Sequence, residues 1–458
     1  MSMTQIEIDP YPGQGGKYLY QKTDVKPEKD KGTGLFPGQD ESRDSVRMNI
    51  KGSLTIAFPD MLSGKSFFEF ASKQIESWDH FDVMVIRIDP VEDSGSENSL
   101  KYPALVSVLA ETINETCKIH SGFWGMCYTD CIACFVEVKN SDHFSGIAET
   151  IRKKLKIRTD AAFSVGIATY PQLSYQKNDI LENAYKALQH AGFLGRNSTA
   201  RFDAVSLNIS GDKLYQEGDV DNAIAEFEKA LLIDPKNINV SNSLGVCYSS
   251  KGEHQKALNE FNKVMVLAPD DVMAPYNAGL AYLMTGDKHN ALGMFLKAHA
   301  LDENQFEVAI QLGRLCLEIK DLELARKYLE KAVEMDEESG PAHRFLGECY
   351  SELNMLTEAI QAYSKAVKLN ANDAYSFSAL ACLYARQKIN QEIAIVFARQ
   401  SVDLSPLTAL FHHRLGEVYY LLEHFEEALI EFKSASELGH DCRSFILEIE
   451  NRLLADAS

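Results

Sequence analysis

The sequence predicts an α/β domain followed by an all-α solenoid of stacked helix pairs. Two observations carry this expectation. Gly211, Gly245, Gly279, Gly313 and Gly347 stand 34 residues apart, a step that belongs to repeat architectures. Ahead of them, over 51–203, β-rich runs of strand length alternate with stretches whose apolar residues fall at helical spacing.

Composition narrows the classes. A chain of 458 residues is too long for one compact core. Its 45% hydrophobic and 24% charged residues are those of an ordinary soluble protein. No apolar run approaches the ~20 residues that cross a bilayer, and the first residues lack the apolar core of a signal peptide. A cytoplasmic location without a membrane span is therefore expected. The nine cysteines agree, since an odd set scattered at apolar helical positions, such as Cys247, Cys316, Cys349, Cys382 and Cys442, suits a reducing compartment. Net charge is −20, of which −16 falls in 204–458, −3 in 51–203 and −1 in 1–50. So acidic a repeat half argues against nucleic acid as a partner.

Along the chain, residues 1–50 are rich in Gly, Pro, Lys, Asp and Gln without apolar periodicity. Such a segment reads as a disordered tail. In 51–203, Val83–Asp89, Ile132–Val138 and Ala161–Ala168 read as strands, and Tyr102–Cys117, Phe144–Leu155 and Asn178–Ala191 as helices. Mixed order with few strands predicts an α/β sandwich of the ferredoxin-like kind. From 204 to 441 there are seven units, starting near 204, 238, 272, 306, 340, 374 and 409. A second series, Ala223, Ala257, Ala291, Ala325 and Ala359, keeps the step of 34, as does Phe227, Phe261, Phe295, Leu329 and Tyr363. Ala381 and Gly416 continue the glycine series, with one residue inserted near Lys388–Asn390. Residues 442–458 read as a polar-faced capping helix, which an open solenoid end needs.

This spacing and residue set resemble the tetratricopeptide repeat (TPR), a pair of antiparallel helices used to bind proteins or peptides. The resemblance implies a groove lined by the first helix of each unit. Carried onto the third unit, those positions are Met273, Tyr276, Leu280, Leu283 and Met284, an apolar set; the fourth and fifth units offer Arg314, Arg344 and Glu348. Apolar anchors flanked by mixed charge predict an amphipathic helix or internal peptide as ligand. The alternative for this set is burial between neighbouring units.

In the middle region, Ser164–Ile167, Tyr170–Pro171 and Ala184–Asn197 resemble the C-terminal part of a GGDEF domain, the diguanylate cyclase family that makes cyclic di-GMP from GTP. That resemblance implies an α/β ferredoxin-like fold. It also implies metal-binding carboxylates and phosphate-binding cations, which this chain departs from. Arg87 stands where a metal-ligating Asp is expected, with Asp89 two residues on, and Glu92 where a Lys is expected. The signature hairpin aligns with Tyr128–Ile132, so Asp130 is kept while Cys131 replaces the Glu. Gly192 replaces the phosphate-contacting Lys, and Arg196 is kept. A cation in a metal site works against the two-metal chemistry of phosphoryl transfer. The expectation is a catalytically silent GGDEF-like module, a pseudoenzyme with no catalytic residues, no metal and no cofactor, for which the resemblance implies GTP or cyclic di-GMP as nucleotide ligand.

Three further patterns have two readings each. Cys127, Cys131 and Cys134 have the spacing of an iron–sulfur motif but straddle a predicted hairpin, which favours packed thiols. Arg152, Lys153, Lys154, Lys156 and Arg158 form either a solvated helix face or an anion site. His412 and His413 lack a second ligand pair at metal spacing and read as a helix-face pair. Taken together, the sequence predicts a protein-protein interaction scaffold in bacterial signalling. The alternative is a weak or divergent diguanylate cyclase regulated by its repeats.

Overall fold

The computed structural model describes residues 3–8, 16–21, 54, 57–89, 96–128, 130–138, 145–159 and 161–456. They fall into two compact units, one reaching Asn277 and the other starting at Ala278. Within the segment read as a disordered tail, β1 (Met3–Ile8) and β2 (Gly16–Gln21) form a two-stranded sheet. β1 ends in the alternating pair Ile6 and Ile8, and β2 carries the short run Tyr18–Tyr20. The rest of 1–50 lies outside the described residues.

The first unit is built on a five-stranded sheet of order β4-β5-β3-β6-β7. Its strands are β3 (Phe81–Ile88), β4 (Phe123–Tyr128), β5 (Cys131–Glu137), β6 (Phe163–Tyr170) and the short β7 (Thr199–Arg201). Pairings β3–β5, β3–β6 and β4–β5 are antiparallel, and β6–β7 is parallel. With α2 (Ser96–Ile119) after β3 and α3 (Ser145–Arg158) after β5, the chain follows the β-α-β-β-α-β order of a ferredoxin-like sandwich.

Period-two alternation fixes the two faces of β3. Met84, Ile86 and Ile88 pack with Leu109, Ile113, Ile147 and Ile151 of α2 and α3. On the other side lie α1 (Lys65–Ile75) and α4 (Ile180–Phe193). There Phe81, Phe135 and Phe123 stack and Phe67 meets Phe123 and Phe135 edge-on, at centroid distances of 4.9–6.4 Å. Gly166 of β6 has no room for a side chain, because a methyl there would strike the backbone of Ala184 and Leu188 on α4. That close approach holds the α4 helix flat against the sheet.

From Ala204 onward the described chain is helical. Two pairs close the first unit: α5 (Ala204–Gln216) with α6 (Val220–Ile233), and α7 (Ile238–Ser250) with α8 (His254–Leu267). Helix α9 (Met273–Met284) contains the boundary between the units. The second unit continues with α10 (Lys288–Leu301), α11 (Phe306–Glu318), α12 (Leu322–Met335), α13 (Gly340–Glu352) and α14 (Leu356–Leu369). It ends with α15 (Ala374–Gln387), α16 (Gln391–Leu404), α17 (Ala409–Leu421), α18 (Phe425–Glu437) and α19 (Arg443–Asp456).

The glycine series has a direct physical cause. A methyl placed on Gly245 would lie 2.5 Å from the Phe261 ring; Gly211 meets Phe227 and Gly279 meets Phe295 in the same way. Gly313, Gly347 and Gly416 likewise face Leu329, Tyr363 and Phe432. Each large residue of a second helix thus sits on bare backbone of the first. The exception is size-matched: where the series has Ala381, the corresponding second-helix residue is Ala398, and both lie in one buried cluster.

A further 34-residue series marks the turn inside each pair. Gly218, Gly252 and Gly286 have φ of 85°, 78° and 80°, and Lys320, Asn354, Lys388 and Glu423 take the same left-handed conformation at φ 57–65°. Only the first three use the residue that adopts it without steric cost.

Gly313→Ala tests the packing rule. Alanine favours an isolated helix over glycine by about 1 kcal/mol, whereas overfilling a packed contact costs about 1–3 kcal/mol. Chemical denaturation should therefore show a net loss of up to about 2 kcal/mol. Combined with Leu329→Ala, which imitates the Ala381/Ala398 pair, the double variant should be more stable than the sum of the two losses. Strict additivity would mean that the two positions do not press on each other.

Candidate functional site

In the second unit, the first helices of four successive pairs line a groove of about 940 Å³. Helix α11 supplies Arg314, Leu317 and Glu318; α13 supplies Arg344, Phe345 and Glu348; α15 supplies Ala374 and Tyr375; α17 supplies Leu410 and Phe411. Lys288, Lys320 and Asp373 join them from helix ends and turns. Residues one repeat apart share a face, so a position recurring every 34 residues becomes a row of side chains in space. The structure thus brings together Arg314, Arg344 and Glu348, the charged members of the groove set expected from sequence.

Electrostatics in this groove are mixed and partly unsatisfied. The lining contains the cations Lys288, Arg314, Lys320 and Arg344 against the carboxylates of Glu318, Glu348 and Asp373. Lys288 Nζ lies 3.1 Å from Glu318, and Lys320 Nζ 2.9 Å from Glu352. Arg344 is only loosely paired, with one nitrogen 4.0 Å from Asp373 and its guanidinium 4.8 Å from the Phe345 ring centre. Its Nε is buried without a hydrogen-bond acceptor, which carries an uncompensated desolvation cost. Burial pushes the Glu348 carboxyl above its ordinary range, while Arg414 and Arg344 pull it back down. Behind it, the Arg414 guanidinium stacks 4.6 Å from the Tyr375 ring centre and donates to Ser378 Oγ at 2.8 Å. Tyr375, Arg414 and Phe411 escaped the sequence reading, although the 34-residue register of Arg344 places Ser378 and its helix beside them.

The apolar groove set is placed differently from the expectation. Tyr276 is fully buried, and Met273 and Leu280 are buried with it; only Leu283 and Met284 are half-exposed. Helical spacing alone puts all five on neighbouring faces, but a wide apolar stripe is what a helix covered on more than one side needs. Tyr276 and Leu280 are core residues, and the anchor role assigned to them is withdrawn.

Of the residues aligned with a cyclase site, Glu92 lies outside the described residues. Arg87 and Cys131 are direct cross-strand partners on β3 and β5. Burial works against the Arg87 charge, yet Cys131, Asp130, Tyr185 and Asp89 hold it above its ordinary range. A methyl added to Gly192 would lie 3.7 Å from the Arg87 guanidinium. Asp89 is buried, and its carboxylate accepts the Asn197 backbone N–H at 2.6 Å. Asp130, Gly192 and Arg196 are exposed. Arg87, Asp130, Cys131 and Gly192 therefore form one neighbourhood, with a guanidinium at its centre.

The remaining patterns resolve into separate contacts. Cys127, Cys131 and Cys134 are all buried, but their sulfurs face different partners: the Cys131 carbonyl, Asp130 and Cys117 respectively. In the basic run, Arg158 pairs with Glu115 at 2.9 Å and Lys154 approaches the same carboxylate at 3.7 Å. Arg152 bonds Thr199 and the Asn197 carbonyl. His412 bonds Glu431 at 2.7 Å and the Pro406 carbonyl at 2.9 Å, whereas His413 turns toward His440 and Cys442. Among the described residues no helix is long and apolar enough to cross a membrane.

Comparison with known proteins supports the repeats. Residues 211–252 match a family model described as TPR repeat, and residues 320–383 one described as tetratricopeptide repeat. The chain thus carries tetratricopeptide repeats, a protein-interaction fold. Among solved structures, it is similar to YrrB, described as a TPR protein with an unusual peptide-binding site. That match has 26% identity, 41% of this chain, 96% of that one and a TM-score of 0.37. MamA matches at 27% identity over 36% of this chain and 96% of its own, with a TM-score of 0.33. PilF of Pseudomonas aeruginosa matches at 20% identity over 44% and 92%, with a TM-score of 0.41. No curated protein matches the chain.

The placement of Tyr276 gives a direct check. Truncating a fully buried aromatic side chain costs about 3–5 kcal/mol, so Tyr276→Ala should sharply lower thermal stability. An unchanged melting temperature would return this side chain to the surface.

Proposed function

We propose that this chain is an adaptor of bacterial signalling, in which a groove on the tetratricopeptide repeats takes a protein or peptide segment. The observation that carries the reading is the groove lined by α11, α13, α15 and α17, with Arg344 Nε left without an acceptor beside the rings of Phe345, Tyr375 and Phe411. Such a surface suits an extended or helical segment that brings a carboxylate and an apolar side chain. This differs from the apolar-anchored ligand expected from Met273, Tyr276 and Leu280, because those residues are buried.

The first unit, in this reading, carries a GGDEF-like module without catalytic activity, in the cytoplasm. The ferredoxin-like strand order supports the fold resemblance. Arg87 supports the loss of chemistry, since its guanidinium occupies the neighbourhood where a divalent cation and a nucleotide triphosphate need carboxylates. Metal and Arg87 would repel each other at close range, and Gly192 offers no replacement cation for phosphate.

Two measurements test the two halves. Full-length protein supplied with GTP and Mg²⁺ or Mn²⁺ should make no cyclic di-GMP above a blank; metal-dependent product that vanishes in Asp130→Ala would establish the divergent cyclase instead. For the groove, panning a random peptide library against the full chain should select peptides that carry one carboxylate, from Asp, Glu or a free C-terminus, on an otherwise neutral or basic segment. A charge-assisted hydrogen bond contributes about 1.5–3 kcal/mol. Lys288→Ala with Arg344→Ala should therefore weaken those peptides more than tenfold at an unchanged melting temperature. Peptides that bind the double variant as tightly as the wild type dock elsewhere, and the groove assignment then fails.

A further inference from the structure

The last helix pair and the terminal helix enclose a cluster with no part in the groove. His413 lies on α17, while His440 and Cys442 lie in the short segment between α18 and α19. One nitrogen of each histidine and the Cys442 sulfur all lie within 4.8 Å of one another. His413 Nδ1 is 3.4 Å from Cys442 Sγ, and the two imidazole rings are 4.3 Å apart, tilted by 32°. Donors bound to one zinc ion at about 2.0–2.3 Å in tetrahedral array stand about 3.3–3.8 Å from each other. The histidine–cysteine pair already has that spacing, and small rotations of His440 bring in the third donor.

We propose that His413, His440 and Cys442 bind one divalent transition-metal ion, with zinc the best match, and that the ion fastens the terminal helix to the last repeat. A thiolate with two imidazoles is a donor set that selects zinc over calcium or magnesium. Three protein ligands leave one tetrahedral position for water or an exogenous ligand, and the two half-buried histidines leave that side accessible.

The backbone holds the donors in place. Gly439 turns the chain with φ of 94°, the His440 N–H donates to the Ala435 carbonyl at 2.9 Å, and the Cys442 carbonyl accepts the Ile446 N–H at 3.1 Å as α19 begins. The walls are apolar: Phe432 and Phe445 stack at 4.6 Å, and His413 packs against both, at 5.5 and 5.7 Å. Cys442 itself is fully buried. An apolar shell that excludes water strengthens metal–ligand bonds.

The test uses untagged full-length protein stripped of metal and titrated with Co²⁺. One equivalent should produce visible bands of tetrahedral cobalt together with a thiolate-to-cobalt charge-transfer band, and one equivalent of Zn²⁺ should bleach both. Cys442→Ser should remove the charge-transfer band, and His413→Ala should reduce affinity at least tenfold. His424→Ala, at an exposed histidine outside the cluster, should change neither. Zn²⁺ should raise the melting temperature of the wild type but not of Cys442→Ser. A wild-type cobalt spectrum without a thiolate band overturns the proposal whether or not the variants fold. So does binding that is indifferent to Cys442→Ser, which would mark adventitious surface histidines.

Discussion

The repeat half of this protein depends on bare backbone meeting a large side chain. Where Phe261 sits over Gly245, the two helices of a pair approach too closely to admit even a methyl group. Every other position in a pair is set by that approach: the small alanines of the second helices, the buried cysteines, and the first-helix residues that are left facing the groove. The Ala381/Ala398 pair shows that glycine is needed only opposite a large side chain. A ring on one side demands bare backbone on the other, whereas a small residue there leaves room for alanine.

A similar exchange of size and charge runs through the sheet domain. Arg87 brings a long cation to a place where the resembled family has a carboxylate, and Gly192 removes the side chain that would otherwise crowd it. The carboxylates of Asp130 and Asp89 then favour the charged guanidinium despite its burial. The small Gly192 suits this neighbourhood, since a lysine beside Arg87 would repel it.

How far sequence reveals such features depends on how local their causes are. The glycine and aromatic series were legible because contacts within a helix pair recur at fixed offsets. The left-handed turn series was only half legible: Gly218, Gly252 and Gly286 announce it and Asn354 is a residue that tolerates it, but Lys320, Lys388 and Glu423 occupy the same conformation with residues that give no sign of it. Helix α1 and strand β7 passed unread, the first because its phenylalanines fall on several faces, the second because three residues carry no periodicity. Tyr276 was misplaced because one helix's pattern does not say how many neighbours cover it. The cluster of His413, His440 and Cys442 escaped altogether, since it joins residues 27 to 29 positions apart through the packing of a terminal helix.

The charge distribution poses a last question, because an excess of four lining cations over three carboxylates sits within a repeat half carrying −16. Distance resolves it. At physiological ionic strength the Debye length is about 8 Å, so the acidic exterior governs approach and repels polyanions such as nucleic acid. Inside the groove, Arg344 and Arg314 are largely removed from water, and interactions there fall under a lower effective dielectric that salt screens little. In the proposed adaptor role, a partner would be admitted by its overall charge and retained by its local one. A peptide that offers a single carboxylate on an otherwise neutral or basic segment meets both conditions, whereas a uniformly acidic one meets only the second.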